Sequence, residues 1–400
     1  MKVPDNLPKL VVARKGALRL AAGHPWVYKS DVSSVESGAP PGALVAVADD
    51  RGRFLGSALY SSSSQIALRL ISTEPVNNLP ELVRERIRAA VAYRKNLVSG
   101  TNAYRLIFSE ADQLPGLIAD RFNDVMSVQV LTQAMDREEI RAAIIQTLQE
   151  QVPEAQNILE RVDARIRQLE ELPAKESGLL AGKKTSTVYE MNGLKFQFDG
   201  TSGQKTGAFL DQRENYAAAA SYAHGEALDV CTYQGGFGLH LAASKKVSNV
   251  SAVDVSRATL EVADENGALN KDVIGKEIEW IEGNAFDLLK DYSSSGKQYD
   301  TIVLDPPAFA KSKKNLETAT RGYKEMNLRA LKMLRPGGIL VTCSCSFHVS
   351  ESEFLGVLAS AAADSHRTLK ILEKRGAAKD HPAVATIPET SYLKCIICTI

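Results

Sequence analysis

The spacing of apolar and polar positions changes character twice along the 400-residue chain. Over residues 1–72 apolar residues fall in short runs, "KLVVAR", "ALVAVAD", "FLGSALY" and "IALRLIS", separated by Gly, Pro and Ser. That pattern predicts a small β-rich unit. From Glu81 to Val98 the period lengthens: apolar residues at 83, 87, 90, 91 and 98 keep a helical spacing. Arg84, Arg86, Arg88, Arg94 and Lys95 lie between them and read as a solvated helix face. "YRLIFSEADQLPGLIADRFNDVMSVQVLT" then predicts strands around a Leu-Pro-Gly turn, before a helix over 136–150 and a strand over 156–162. "LPAKESGLLAGKK" reads as a loop and "STVYEMNGLKFQFDG" as a hairpin turning on Asn192-Gly193. Residues 73–190 therefore read as a mixed α/β linking module.

In the last part, residues 191–400, the rhythm from about residue 205 is strand and helix in alternation. Short apolar strands at 226–231, 249–255, 278–283, 300–305 and 337–343 predict a mostly parallel sheet with helices on both faces. "TLKILEK" and "YLKCIICTI" have no helix between them and predict an antiparallel pair at the sheet edge.

Composition adds bounds. With 44% hydrophobic and 24% charged residues, no apolar run of 18 residues and no basic-plus-apolar leader, a cytoplasmic protein without membrane anchoring is expected. Lys+Arg and Asp+Glu are both 48, so net charge indicates no nucleic-acid partner. Residues 1–72 do carry nine Lys/Arg against five Asp/Glu, a difference of +4 compatible with RNA. Within them, "GHPWVYKSDV" places Trp26 and Tyr28 where they read as core filling. Five cysteines without a secretory context argue against a disulfide framework. Cys395 and Cys398 form a C-x-x-C inside an apolar strand, with no second pair at zinc spacing, and read as core thiols; no metal is expected.

Candidate chemistry gathers at the carboxyl ends of the predicted parallel strands. "DVCTYQGGFGLHLAA" closes the first strand at Asp229, passes Tyr233, and opens a helix with Gly235, Gly236 and Gly238. Bare backbone at a helix N-terminus admits a ligand's polar groups, although a tight structural turn explains the glycines equally well. Asp254 ends the second strand, where a carboxylate can accept both hydroxyls of a ribose. Asn284, Ala285 and Phe286 follow the third and can flank an adenine; Asp305 opens "DPPAFAKSK" after the fourth. A dinucleotide dehydrogenase and an S-adenosylmethionine methyltransferase share the first two features. The rigid Asp-Pro-Pro and the closing hairpin favour the methyltransferase.

"GHPWVY", "SEADQLPGLIADRF", "GQKTGAFLDQR", "DVCTYQGGFGLHLA", "VDVSRATLEVADENGALN", "DPPAFAKSK", "RGYKEMNLRAL" and "LVTCSCSFHV" together resemble the bacterial 23S rRNA cytosine carbon-5 methyltransferases that carry an N-terminal PUA domain. The likeness runs over nearly the whole chain. It implies a PUA RNA-binding domain in residues 1–72 and a Rossmann-like class I methyltransferase domain in 191–400. S-adenosyl-L-methionine would be the cofactor and 23S rRNA or a ribosomal subunit precursor the partner. No membrane is implied, and the oligomeric state stays open, a homodimer being one option. By the same resemblance Gln212 and Arg213 reach the cofactor's methionine end, Arg213 pairing with its carboxylate.

Carbon 5 of cytosine is a poor nucleophile until a thiolate adds at carbon 6. The resemblance makes Cys343, in the frame Thr342-Cys343-Ser344, the nucleophile, with Cys345 the alternative on the same strand face. Asp305 would hydrogen-bond the base. Many relatives have a second Cys just past the Pro of this motif; here Pro307 and Ala308 stand there. Methylation of a guanine or adenine nitrogen is the second reading, disfavoured because the aromatic, Phe309, is displaced by one residue. A catalytically idle RNA-binding protein is a third. Lys311, Lys313, Lys314, Arg321 and Lys324 can grip flanking phosphates or merely solvate a loop.

Overall fold

A computed structural model describes residues 6–35, 38–201, 207–310 and 312–400. Packing groups the chain into two units: Met1–Tyr189 with Phe198–Ala208 and Lys379–Thr390, and Glu190–Gln197 with Phe209–Ala378 and Ser391–Ile400. The segments expected as a PUA module and a linking module thus both belong to the first unit.

In that unit β1 (Lys9–Val12), helix α1 (Arg14–Ala21), β2 (Trp26–Tyr28), β3 (Val32–Val35), β4 (Leu44–Asp49), β5 (Phe54–Tyr60) and β6 (Ile66–Ser72) supply a six-stranded sheet of order β2-β6-β5-β4-β1-β3. Strand alternation decides which residue of "WVY" enters its core. Val27 is buried, and Trp26 and Tyr28, expected as core, are only half-buried. Trp26 instead donates from Nε1 to Glu110 Oε1 at 3.0 Å.

Helix α2 (Leu79–Leu97) leads to β7 (Ala103–Phe108), β8 (Leu117–Phe122), β9 (Val125–Val130), α3 (Glu138–Gln151), β10 (Asn157–Glu160), α4 (Ala164–Leu169) and β11 (Gly178–Ala181). The sheet order is β11-β10-β9-β8-β7. β11 falls in the segment expected as a loop. It pairs antiparallel with β10, so its backbone finds partners that its sequence does not advertise.

The basic face of α2 is also not uniformly solvated. Arg94 is fully buried, donating from Nη1 to Asp112 Oδ1 at 2.5 Å and from Nη2 to Asp380 O at 3.0 Å. Arg86 turns inward to the carbonyl oxygens of Gln113 and Ile71. Asp380 also accepts from Arg105 N at 2.8 Å, while Arg105 forms a bidentate pair with Asp120 at 2.8 and 2.9 Å.

β12 (Ser186–Met191) and β13 (Leu194–Asp199) form the expected hairpin. Asn192 and Gly193 have φ of 53° and 80°, the left-handed pair that a two-residue type I′ turn requires.

The second unit alternates as expected: α5 (Arg213–Tyr222), β14 (Gly225–Val230), α6 (Gly236–Ala243), β15 (Val247–Asp254), α7 (Arg257–Leu269), β16 (Ile278–Glu282), α8 (Ala285–Ser294), β17 (Tyr299–Leu304), α9 (Leu316–Met333), β18 (Leu334–Ser344), α10 (Glu351–Asp364), β19 (Lys370–Arg375) and β20 (Lys394–Thr399). Its seven strands lie in the order β16-β15-β14-β17-β18-β20-β19. The first five run parallel; β20 is antiparallel to both β18 and β19. Leu228, Ile302 and Leu340 of the sheet pack with Tyr323, Leu331 and Phe354 of the covering helices, all essentially inaccessible to solvent. No described helix is long and apolar enough to cross a membrane.

The Arg105–Asp120 pair sets a stability prediction. Asp120 is fully buried, so Asp120→Ala leaves the Arg105 guanidinium without its carboxylate. Removal of one partner of a buried pair is expected to cost about 3–5 kcal/mol. Denaturant unfolding of the two proteins measures it, and a loss below 1 kcal/mol would contradict the assignment.

Candidate active site

The turn after β14 is conformationally costly. Cys231 (φ 66°) and Tyr233 (φ 54°) are non-glycine residues in the left-handed region, with Gly235 (φ 86°) close behind. Such backbone persists only where its surroundings hold it, commonly at ligand clamps. Here Tyr233 N donates to Asp254 Oδ2 at 2.9 Å and its ring meets Phe209 edge-on at 5.0 Å. The strain of the first strand's turn is thereby tied to the end of the second strand.

The glycines divide in their roles. A Cβ on Gly236 would lie 2.5 Å from the Tyr216 ring, and one on Gly238 would lie 3.3 Å from Asp229 Oδ2 and Thr232 Oγ1. Both are small because protein atoms fill the space a Cβ would take, which accords with the tight-turn reading of these glycines. Gly235 is needed for its φ. The close helix packing is locked by His240 of α6, whose Nδ1 lies 2.7 Å from Gly236 O and Nε2 3.1 Å from Asn192 Nδ2. Asn192 also donates to Arg213 O at 2.9 Å. Burial pulls the His240 imidazole down to about 4, so it is neutral and Nε2 can accept.

Asp229 is fully buried beneath this turn. Its Oδ2 accepts from Thr232 Oγ1 at 2.5 Å, and its Oδ1 has no hydrogen-bond partner. Burial pushes its carboxyl up to about 7, against the Thr232 and Gly238 hydrogen bonds, and the charge of Asp254 adds to the rise.

Asp254 at the end of β15 accepts from Tyr233 N on Oδ2, and from Ser256 N (3.0 Å) and Thr259 Oγ1 (3.3 Å) on Oδ1. Three of roughly four acceptor positions of a carboxylate are filled by the protein. One acceptor position is left for a ribose hydroxyl, and a second hydroxyl would displace Thr259, the longest contact. Next to it Val255 is 70% exposed, and across the adjacent strand end Phe286 is 38% exposed. These apolar faces suit the two sides of an adenine; Val255 was not singled out from the sequence, where it reads as the last residue of a strand. Asn284 caps α8, its Oδ1 accepting from Phe286 N at 2.9 Å, and Ala285 begins that helix. A carboxylate for hydroxyls beside apolar faces for a ring is the donor set that S-adenosylmethionine requires.

On the other side of β14, Asp305 donates its backbone N–H to Val230 O at 3.1 Å, and its Oδ2 accepts from Gln212 Nε2 at 3.0 Å. Gln212 is aimed by Asn215, whose Nδ2 donates to Gln212 Oε1 at 2.6 Å and whose Oδ1 accepts from Arg375 Nε at 2.9 Å. Asn215 and Arg375 were not foreseen. Arg213 is buried at the start of α5, its guanidinium 3.6 Å from Glu214.

The two thiols of "TCSCS" occupy different environments. Cys343 is fully buried within β18, in register with Cys395 of β20. Burial raises its thiol pKa well above the usual range, and the Cys395 and Asp305 side chains push the same way. Cys343 therefore lacks the accessibility and depressed pKa expected of a nucleophile. β18 ends at Ser344, and Cys345, just beyond, is partly exposed with Sγ 3.8 Å from Pro306 O.

Around it, Ser346 Oγ accepts from Ala310 N at 3.1 Å and meets Tyr323 OH at 3.0 Å, and Lys394 Nζ donates to Ser346 O at 2.6 Å. Phe309 lies inward, its ring 4.6 Å from that of Tyr323. Of the cations after the Asp-Pro-Pro turn, Lys311 and the side chain of Lys313 lie outside the described residues. Lys314 is exposed, Lys324 is 2.7 Å from Asp364, and Arg321 is 3.7 Å from Glu317.

Five parallel strands, an antiparallel closing pair and this polar carboxyl edge define a class I S-adenosylmethionine-dependent methyltransferase. Residues 107–394 match the family described as S-adenosylmethionine-dependent methyltransferase, and residues 10–73 match a PUA-like domain. Ribosomal RNA large subunit methyltransferase I of Photobacterium profundum is 37% identical over 98% of both chains. Its counterpart in Shewanella denitrificans is 38% identical over 94% of this chain and 95% of its own. The chain belongs to the family of these ribosomal RNA large subunit methyltransferase I proteins. Its fold matches a methyltransferase solved in complex with SAH (TM-score 0.83, 19% identity, covering 98% of this chain and all of that one). A Streptococcus mutans protein assigned as SAM-dependent methyltransferase matches with TM-score 0.81 at the same identity, again over 98% of this chain and all of its own.

Asp229 gives a pH prediction. In the unfolded chain its carboxyl ionises near 3.9; in the folded protein it does so near 7. Its contribution to stability is full below the lower value and is lost as pH rises through the upper one. The stability of the protein relative to Asp229→Asn should therefore fall between pH 4 and 7, by a few kcal/mol on the order of the linkage limit, and stay level above. Paired denaturation curves across that range measure it; a pH-independent difference would refute a neutral buried carboxyl.

Proposed function

We propose that the protein methylates carbon 5 of a cytosine in large-subunit ribosomal RNA, with Cys345 in place of Cys343 as the nucleophile. The observation that carries this reading is the contrast between the two thiols: Cys345 is partly exposed at the strand end beside the Asp-Pro-Pro turn, and Cys343 is sealed in the sheet. The named activity of the relatives, on ribosomal RNA of the large subunit, supports the substrate class. We assign RNA binding to the PUA-like residues within 1–72, a linking role to 73–190 and the chemistry to 191–400.

Asp254, Val255, Asn284, Ala285 and Phe286 would hold the nucleoside end of S-adenosylmethionine, the turn with Asp229, Tyr233, Gly235, Gly236 and Gly238 its centre, and Gln212 and Arg213 its methionine end. When bound, the cofactor supplies an electrophilic methyl on a sulfonium. The Cys345 thiolate forms a bond to carbon 6 of the flipped base, and the electrons of the 5,6 double bond move to carbon 5, which would then accept the methyl as the S–CH3 bond broke and the sulfonium left as a neutral thioether. Asp305, oriented by Gln212, would accept from the exocyclic amino group of the base and so fix the ring against the thiolate. Loss of the carbon-5 proton to solvent restores the double bond as the sulfur–carbon bond breaks and the thiolate is released. Nitrogen methylation is disfavoured because the aromatic that such chemistry stacks on the base, Phe309, is displaced by one residue and its ring packs 4.6 Å from that of Tyr323.

Labelled transfer to ribosomal RNA, with mass spectrometry of the nucleosides, should yield 5-methylcytidine, lost in Cys345→Ala and retained in Cys343→Ala. The reverse pattern returns the nucleophile to Cys343, and a methylguanosine or methyladenosine product selects the nitrogen chemistry. Asp254→Ala should weaken S-adenosylmethionine binding by about 10-fold or more, the worth of one hydrogen bond to a charged group; unchanged affinity in calorimetry would remove Asp254 from the cofactor site.

A further inference from the structure

A single lysine interrupts the apolar run "YLKCIICTI", and it is buried. Lys394 opens β20. Because that strand runs antiparallel to β18, its first residue lies opposite Ser344, the last residue of β18. The side chain continues past that partner and donates from Nζ to the carbonyl of Ser346 at 2.6 Å, with a second bond to Tyr392 O at 2.8 Å. Residue 345 is thus bracketed: Lys394 faces the residue before it in register and grips the residue after it by hydrogen bond. Both acceptors are neutral carbonyls, so neither cancels the ammonium charge.

We propose that Lys394 is a positioning residue whose ammonium group holds Cys345 as a thiolate, the thiol's proton being given up to solvent. The inference rests on the reading of Cys345 as the reactive thiol and adds how that thiol is activated. An ammonium in a low-dielectric setting lowers the pKa of a neighbouring thiol, and reactive cysteines are found beside such cations. Lys394 and Cys345 are electrostatically coupled, and burial pulls the ammonium down to about 8 while Cys345 and Glu353 work to raise it. At neutral pH it therefore still carries its charge. Among the described residues, Glu353 of α10 acts on the Lys394 ammonium and Tyr323 of α9 faces Cys345. Glu353 is engaged by Ser350 at the helix start, and burial raises the Tyr323 phenol, which stays neutral. Among the described residues Lys394 is thus the cation that bears on Cys345, and Glu353, at the exposed end of α10, is its opposing charge.

The test reads the thiol itself, without methyl transfer. The full-length protein is alkylated with iodoacetamide, in which a sulfur–carbon bond forms as iodide leaves, and modification of Cys345 is followed by peptide mass spectrometry from pH 5 to 10. In the unmutated protein the midpoint should lie below the roughly 8.5 of an ordinary thiol; a midpoint at or above that value overturns the proposal without any variant. Lys394→Met should raise the midpoint by about one unit, a roughly tenfold slower alkylation at pH 7, and Lys394→Arg, which keeps the charge, should return it toward the original. A Lys394→Met profile superimposable on the original, or a Lys394→Arg profile matching Lys394→Met, overturns it. If Cys345 is not the nucleophile, methyl transfer survives Cys345→Ala and this profile can still hold, so the two readings fail separately.

Discussion

The antiparallel pairing of β20 with β18 is the constraint on which the catalytic corner depends. Five parallel strands deliver five carboxyl ends to one edge of the sheet, which is where open α/β sheets hold ligands. A sixth parallel strand would deliver another carboxyl end and would send the residue preceding its own apolar run to the opposite edge. Reversing β20 instead brings its amino end, Lys394, to the edge where β18 finishes, and seats the buried stretch Cys395–Cys398 against the strand that carries Cys343. The same reversal seals one thiol and places a cation next to the segment that holds the other.

Low dielectric then sorts the groups of this edge by what they can ionise. Burial raises the Asp229 carboxyl and the thiols of Cys231, Cys343 and Cys398, because a lone charge in such a place lacks solvation. Negative neighbours deepen the effect at Cys231, which feels Asp254, Asp305 and Asp229 in turn. At the rim the carboxyl groups meet donors instead: Asp254 accepts from two backbone amides, and Asp305 accepts from a glutamine that Asn215 holds in place.

The parts of the molecule legible in the sequence are those whose signal is local. Strand and helix alternation after residue 205, the Asn-Gly hairpin and the placement of Asp229, Asp254 and Asp305 at strand ends all follow from periodicity within a dozen residues. What escaped depends on partners far along the chain. Arg94 looks like any cation on an amphipathic helix; only Asp112 and the carbonyl of Asp380, 286 positions away, make it a core residue. β11 is a strand because β10 offers it an edge, and Gly236 is a packing glycine because Tyr216 arrives from α5. Lys394 did leave a local trace, a charged residue inside an apolar strand, but its meaning depends on the register with Ser344.

The paired thiols illustrate how far a two-residue offset can carry. Side chains at 343 and 345 would share one face of a strand that continued, so periodicity alone cannot separate them. The strand stops at Ser344, where Ser346 is claimed by Ala310 N, Tyr323 and Lys394 from three different elements. Those contacts hold the segment just past the end of the strand, so the two cysteines lie on either side of where the ladder stops. Cys343 stays in the ladder, where a small polarisable side chain packs well against Cys395. Cys345 is partly exposed at the rim, with Sγ 3.8 Å from the Pro306 carbonyl. The difference in their chemistry comes from where β18 ends, and that end is set by hydrogen bonds to Ser346, not by either cysteine.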